Sequence, residues 1–313
     1  MGKQVPAPFV VERDDGGATL AAALRRRLPG WSWARVRALC ETGKVRVDAA
    51  VATDPAARLA PGARISVEMT APRPRAERAG FRIVFDDPHL VVIEKPAGIS
   101  SVPYERKESG TALDLIREAW RHGGRRATAT PLYTVHRLDK DTSGLLCFAK
   151  TRFAERALHQ VFQKHTAARE YLAVAEGDVA SRRIESQLVA DRGDGIRGST
   201  RRRGEGQRAV THVQAVAPLR GATLLRVRLE TGRTHQIRVH LAEAGHPLVG
   251  ETVYIRDLLR AGGKPLPASR LMLHAATLGL PHPVTGAPLS FSAPPPPDFV
   301  AGLEALGGSS ADV

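Results

Sequence analysis

The sequence predicts an α+β fold in two parts, and three observations carry the prediction. Short apolar runs with the period of strands recur along most of the chain. The helical patterns between them follow no fixed repeat, which fits an α+β sheet better than regular βαβ winding. Finally, TAPRPRAERAG at 70–80 interrupts every hydrophobic period with prolines and arginines, separating about 70 residues from about 230.

In the smaller part, Leu20, Leu24 and Leu28 recur at helical spacing and Pro29-Gly30 stop that helix. Ser32 is placed to cap a second helix, Trp33 to Cys40, which Gly43 ends. Val36, Leu39 and Cys40 face inward there, while Arg35, Arg37, Lys44 and Arg46 make one small basic face. KVRV at 44–47 and ARISVEM at 63–69 alternate as strands around a loop holding Pro55 and a Pro61-Gly62 turn.

The larger part opens with FRIVFDDPHLVVIEKPAGI, two strands about an Asp-Asp-Pro turn, the second ending at Lys95-Pro96. Further strands are predicted at 145–150, 170–177, 209–217 and 222–230. Thr151 caps an amphipathic helix with two adjacent apolar rows, Phe153, Ala157, Val161 and Ala154, Leu158, Phe162. THQIRVHLAEAG reads as another helix, capped by Thr234 and closed by Gly245.

With 313 residues and 42% hydrophobic content the chain can bury a sizeable core. A formal net charge of +14 calls for a polyanionic partner, nucleic acid first. No apolar stretch approaches the roughly 20 residues that cross a bilayer, so no membrane role is expected. MGKQVPAPFVVERDD lacks the apolar core of a secretion signal. Cys40 and Cys147 are too few for a disulfide framework or a thiol metal site. A cytoplasmic protein without cofactor or metal is expected; its oligomeric state is not readable.

HRLDKDTSGLL at 136–146 sets Asp139 in a polar, glycine-ended loop ahead of an apolar run. Taken alone, that is a turn, because Asp, Thr and Ser side chains bond nearby backbone. Four other stretches change the reading: KPAGISSVP at 95–103, REYLAVAEG at 169–177, TGRTHQIRVHLAEAGHPLVG at 231–250 and RLMLHAATLGLPHPVTG at 270–286. Together with HRLDKDTSGLLCFAK they resemble the RluA-type pseudouridine synthases over about 80–292. Over 17–70, SWARVRALCETGKVRVDAAVATDPAARLAPGARISV resembles the S4-like RNA-binding domain, departing at Asp48-Ala49-Ala50, where that family usually has an Asn-Gly turn. The resemblances imply a small S4-like α/β domain followed by a catalytic domain built on a mixed, mainly antiparallel sheet. The expected layout is a flexible N-terminus at 1–16, the S4-like domain at 17–70, a linker at 71–80, the catalytic domain at 81–306 and a flexible tail at 307–313.

Converting uridine to pseudouridine breaks a carbon–nitrogen bond at the anomeric centre, turns the trapped uracil and rejoins it through carbon 5. No atom is gained or lost, so neither a metal nor a redox cofactor is required. The minimal catalytic group is a carboxylate that attacks the sugar or removes a sugar proton, and the resemblance puts that role on Asp139. It implies Arg238 as the guanidinium that keeps the carboxylate charged through paired hydrogen bonds. Tyr171 is the implied aromatic neighbour of the base, stacking on it or assisting proton loss from carbon 5. Leu273 either packs the base from the other side or is simple core. His136 and Arg137 either touch the RNA or fill the gap that the base leaves, and Arg233 meets phosphate. DRGDGIRGSTRRRGEGQR at 191–208 reads as a mobile basic loop or hairpin over the RNA path, or as an insertion without a role. His235, His240 and His246 lack metal-ligand spacing.

The partner implied is RNA, with ribosomal RNA of the large subunit favoured and transfer RNA open. Two rival readings stay open: a non-catalytic RNA-binding or ribosome-assembly protein, and a hydrolase that releases free uracil.

Overall fold

A computed structural model describes residues 6–12, 18–52, 55, 57, 59–71, 81–103, 108–122, 130–193, 195–202 and 204–313. The expected linker therefore lies, from residue 72 onward, outside the described residues, as do 1–5 and 13–16 of the expected flexible N-terminus. The chain divides into two compact units, Met1–Arg78 and Ala79–Val313.

In the first unit, β1 (Phe9–Val10) precedes α1 (Leu20–Arg27), α2 (Trp33–Glu41), β2 (Val45–Val47), β3 (Ala50–Val51) and β4 (Arg64–Val67). The strands pair in the order β1-β4-β2-β3. The Thr19 and Ser32 hydroxyls cap the two helices by accepting from Ala22 and Arg35 N–H. Leu20, Leu24, Leu28, Val36 and Cys40 pack with Val45 and Ile65 into one buried cluster. Asp48 and Ala49 both take positive φ, 50° and 71°, making the tight turn that Asn-Gly would favour. The Asp48 carboxylate steadies it by accepting Arg64 N–H at 2.7 Å.

The second unit runs through β5 (Arg82–Asp86), β6 (Leu90–Lys95), α3 (Ala112–His122), β7 (Tyr133–Thr134), β8 (Ser143–Ala149), α4 (Arg152–Gln163) and β9 (Ala168–Glu176). It continues with β10 (Arg182–Val189), β11 (Gly198–Thr200), β12 (Gln207–Leu219), β13 (Ala222–Leu229), α5 (Gln236–Glu243) and α6 (Arg256–Arg260). It closes with β14 (Leu273–Pro281), β15 (Pro288–Ser292) and α7 (Pro297–Ala305). The described strands form one mixed, mainly antiparallel sheet in the order β11-β10-β12-β13-β9-β14-β8-β6-β5, with β15 on β14 and β7 on β8. Only the β8–β14 pairing is parallel among the described strands.

The central strands are apolar on both faces because both are covered. Val91, Ile93, Leu146, Phe148, Tyr171 and Ala173 share one buried cluster with Ile116 and Trp120 of α3 and Ile237 and Leu241 of α5. Their neighbours in sequence turn the other way: Leu90, Val92, Leu145 and Cys147 meet Ala154 and Leu158 of α4, and Leu172 and Val174 meet Phe299 and Leu303 of α7.

In α4 the row Ala154, Leu158 and Phe162 packs on the sheet together with Val161 of the neighbouring row, while Phe153 is 62% exposed. Two expectations need correction. Thr234 does not cap α5: His235 is the N-cap, in the left-handed conformation at φ 57° and without a side-chain cap bond. Residues 307–313, expected as a free tail, include a capped 3-10 turn at Ser310–Asp312, and Val313 packs on the Phe299 cluster.

Candidate active site

The loop between β7 and β8 carries Asp139, and its backbone is fastened from below. The Ser101 hydroxyl donates to Leu138 O at 2.8 Å and accepts Leu138 N–H at 3.0 Å. Lys95, 1% exposed, donates from Nζ to Pro96 O, Ile99 O and Lys140 O at 2.9, 2.8 and 3.0 Å. Three carbonyl acceptors suit the three protons of an ammonium. Burial nevertheless pushes the amine down to about 7, with Asp139 and Asp141 opposing and Arg270 assisting. Ile99 N–H also donates to Lys140 O, and Thr142 N–H to Asp139 O. The Thr142 hydroxyl, in the same loop, is buried without a partner among the described residues.

Asp139 faces a cavity of about 1250 Å³, lined among the described residues by six Arg or Lys side chains against two carboxylates, Glu108 and Asp139. Arg238 Nη1 lies 3.7 Å from Asp139 Oδ2 and His235 Nε2 lies 3.8 Å from Oδ1. Both are charge contacts, longer than hydrogen bonds. The paired hydrogen bonds expected between Arg238 and Asp139 are made instead with Glu251: Nε to Oε2 and Nη2 to Oε1, each 2.7 Å. With Nε and Nη2 held by this second carboxylate, the guanidinium presents Nη1 to Asp139 from a fixed position.

The Glu251 side chain is 0% exposed. Burial drives its carboxyl up, but the Arg238 bonds and charge, with N–H bonds from Val253 and Tyr254, bring it below the usual carboxylate range. For Arg238, burial opposes the charge, and Glu251 more than reverses that effect, raising the guanidinium further. Tyr254, 6% exposed, brings its hydroxyl to 2.7 Å from His235 Nδ1, and the Arg238 guanidinium lies 5.3 Å from its ring centre.

The strand period sets Tyr171 of β9 on the cavity side of the sheet, 8% exposed. Burial raises its phenol, Arg169 opposes and Asp139 adds to the rise. Leu273, at the start of β14 and 3% exposed, lines the same cavity while belonging to the core, so both of its expected descriptions hold geometrically. Arg137 is exposed at the cavity wall, and Arg233 lines it while donating to Arg208 O. His136 lines the cavity too, but it is committed to the protein: Nε2 accepts Cys147 N–H at 3.0 Å and the ring stacks on Phe162 at 4.3 Å. Burial, with help from Arg169, pushes it down to about 3, so it is neutral.

The cavity thus gathers Asp139, Tyr171, Arg238, His136, Arg137, Arg233 and Leu273. Sequence reasoning missed Glu251, Tyr254, His235 as a neighbour of Asp139, and the buried Lys95. The one local signal for Lys95 was a lysine ending an otherwise apolar strand. The three histidines of 235–246 go to different places: His240 to Ser186 and Thr211, His246 to Glu176 O.

A basic cavity centred on one carboxylate, over a mixed sheet, suits an enzyme acting on a polyanion. Residues 89–243 match the RNA pseudouridylate synthase family. The chain is 36% identical to ribosomal large subunit pseudouridine synthase D of Zymomonas mobilis over 296 residues, 90% of this chain and 92% of that one. It is 36% identical to the Pasteurella multocida protein of the same name over 325 residues, covering 97% and 95%. Among solved structures it resembles human RNA pseudouridylate synthase domain containing 4, with a TM-score of 0.55 and 25% identity over 72% of this chain and 92% of that one. The chain belongs to the RNA pseudouridylate synthase family. It is an isomerase, and its substrate is RNA. Among the described residues no helix is long and apolar enough to cross a membrane.

Proposed function

We propose that this protein isomerises uridine to pseudouridine in ribosomal RNA of the large subunit, in the cytoplasm, with Asp139 as the catalytic carboxylate. The observation that carries the proposal is the Asp139 carboxylate, 3.7 Å from an Arg238 whose fork is locked by Glu251, inside a basic cavity. The names of the curated relatives support the choice of ribosomal RNA. The first unit, with its strand, helix, helix and three further strands, is the RNA-docking module in this reading.

The target nucleotide leaves its stack, at a cost of a few kcal/mol, and enters the cavity. Asp139 attacks the anomeric carbon, or takes a sugar proton, as the bond to nitrogen 1 breaks. Uracil rotates between Tyr171 and Leu273, the anomeric carbon bonds to carbon 5 as its bond to Asp139 breaks or as the sugar regains its proton, and the carbon 5 proton is lost while nitrogen 1 takes one up. Because burial raises the Tyr171 phenol, it stays protonated at neutral pH and serves by stacking and hydrogen bonding rather than as a phenolate base. Arg137 and Arg233 take phosphates, and His136 forms part of the wall that receives the nucleotide.

The test is pseudouridine-specific chemical mapping of an unmodified large-subunit rRNA transcript treated with purified protein. Asp139→Asn is expected to reduce product formation by roughly 10⁴-fold or more. Wild-type yield from that variant sinks the proposal, and free uracil would mark a hydrolase instead. Mapping RNA from cells with and without the protein separates ribosomal from transfer RNA as substrate.

A further inference from the structure

Within the arginine-rich segment 191–208, the described residues up to Thr200 form a fastened hairpin with β10. β11 pairs antiparallel with β10, matching Val189 with Gly198 and Gln187 with Thr200. Its turn is closed by Arg192 N–H to Ile196 O at 2.9 Å, and Asp191 accepts Gly193 and Gly195 N–H at 2.7 and 2.8 Å. Glu243, in the last turn of α5, holds the hairpin to the helix that carries Arg238. It accepts Ser199 N–H at 2.8 Å and the Ser199 hydroxyl, and lies 3.6 Å from Arg192 Nη1. Ile196 packs on the apolar side with Leu188, Val239 and Tyr254. The fit is close: a Cβ on Gly198 would sit 2.3 Å from Arg192 Cδ and 2.9 Å from Glu243 Oε1.

This clamp sets Arg197 at the cavity wall. Its charge bears on His235 and Tyr254, the groups beside Asp139 and Arg238. Most of the hairpin's charged neighbours are engaged: Arg192 with Glu243, Arg202 with Glu205, Arg208 with Glu185. Arg197 makes no hydrogen bond or ion pair with any described residue. An arginine held at the wall of a cationic cavity, with its five donors unused among the described residues, is a receptor for an oxyanion. In a protein whose substrate is RNA that oxyanion is a backbone phosphate.

We propose that Arg197, presented by the hairpin that Glu243 clamps to α5, binds an RNA phosphate flanking the nucleotide that enters the cavity. The inference rests on the reading of the cavity as the uridine-isomerising site. One phosphate contact contributes counterion release and holds register, while the bond-making steps are left to other groups.

The test uses the full-length protein and an unmodified large-subunit rRNA transcript, with Kd measured over a salt series and single-turnover rates at saturating enzyme. For Arg197→Ala, the slope of log affinity against log salt is expected to shrink by about 0.7–0.9, and Kd at 0.1 M salt to rise roughly 5- to 10-fold. The saturated single-turnover rate is expected to stay at the wild-type value. Arg197→Lys keeps the slope, because a point charge still displaces a counterion. Glu243→Ala, which frees the hairpin without touching Arg197, is expected to reproduce the affinity loss in a protein of unchanged circular dichroism. A wild-type salt slope in Arg197→Ala overturns the proposal, as does a loss confined to the saturated rate. Asp139→Asn, run beside these variants, tells the two readings apart. If it abolishes product while Arg197→Ala binds normally, only the phosphate contact falls; if it leaves product intact, the isomerase site falls first.

Discussion

Glu251 touches no substrate in the proposed reaction, yet it decides where the Arg238 charge sits. Its carboxylate takes Nε and Nη2 of the guanidinium and also accepts N–H from Thr252 and Val253 at 3.0 and 2.9 Å. Glu251→Gln leaves a buried arginine with a neutral partner, and breaking such a pair costs about 3–5 kcal/mol. Chemical denaturation is expected to show that loss, and single-turnover kinetics a fall of about 100-fold as Nη1 drifts from Asp139. An unchanged rate in a folded Glu251→Gln protein would contradict the positioning role. That Asp139 and Arg238 would meet was legible because each sits inside a contiguous motif that resembles the family. Their true relation was not. The Arg238–Glu251 pair spans 13 residues and a turn, and nothing in the sequence says which of two carboxylates an arginine will grip.

At the scale of elements, the crossing of β8 and β14 governs how the Asp139 loop is seated. Gly144 follows that loop at φ 114°, and a Cβ there would lie 2.2 Å from Ala275 O on the parallel neighbour. Gly144→Ala must therefore separate the two strands or twist the backbone. A loss of roughly 2–4 kcal/mol in denaturation experiments is expected, with reduced activity. Strands rich in apolar residues, β6, β8, β9, β12 and β13, were all found from sequence, as were the caps Thr151 and Ser32. β10, RRIESQLV, was not, because its outward residues are charged and its inward ones few. α3 was also missed, although it places Ile116 and Trp120 in the core. Thr234 was a reasonable cap by residue type, but Gln236 takes over the local bonding by accepting Arg233 N–H and the Thr231 hydroxyl. His235 is left in the left-handed conformation, turned toward Tyr254.

For the whole molecule, buried imidazoles set the response to acid. Burial pushes His240 and His274 down to about 4 and His136 to about 3. Each would titrate near its usual value in the unfolded chain, so between about pH 6.5 and 3 the unfolded state binds more protons. Stability must fall as pH drops through that window and level off below it with respect to these groups. Glu251 and Asp87, held below the usual carboxylate range, extend the loss downward, while Glu176, raised by burial, opposes it. A melting temperature lower at pH 4.5 than at pH 7 by on the order of 5 °C or more is expected. A flat profile would show that these imidazoles titrate normally. The division into two parts was visible in the sequence because proline and arginine break its periodicity, and each unit has its own apolar cluster.

Lys95 and Ser101 tie down the backbone on both sides of Asp139, at Lys140 and at Leu138. In the proposed reaction, a carboxylate moored so firmly does not travel to meet its target. The distortion that brings the two together falls on the nucleic acid, whose readiness to deform varies with sequence and pairing. Choice among uridines then becomes a contest of pliancy, won by those in bends, bulges and frayed ends.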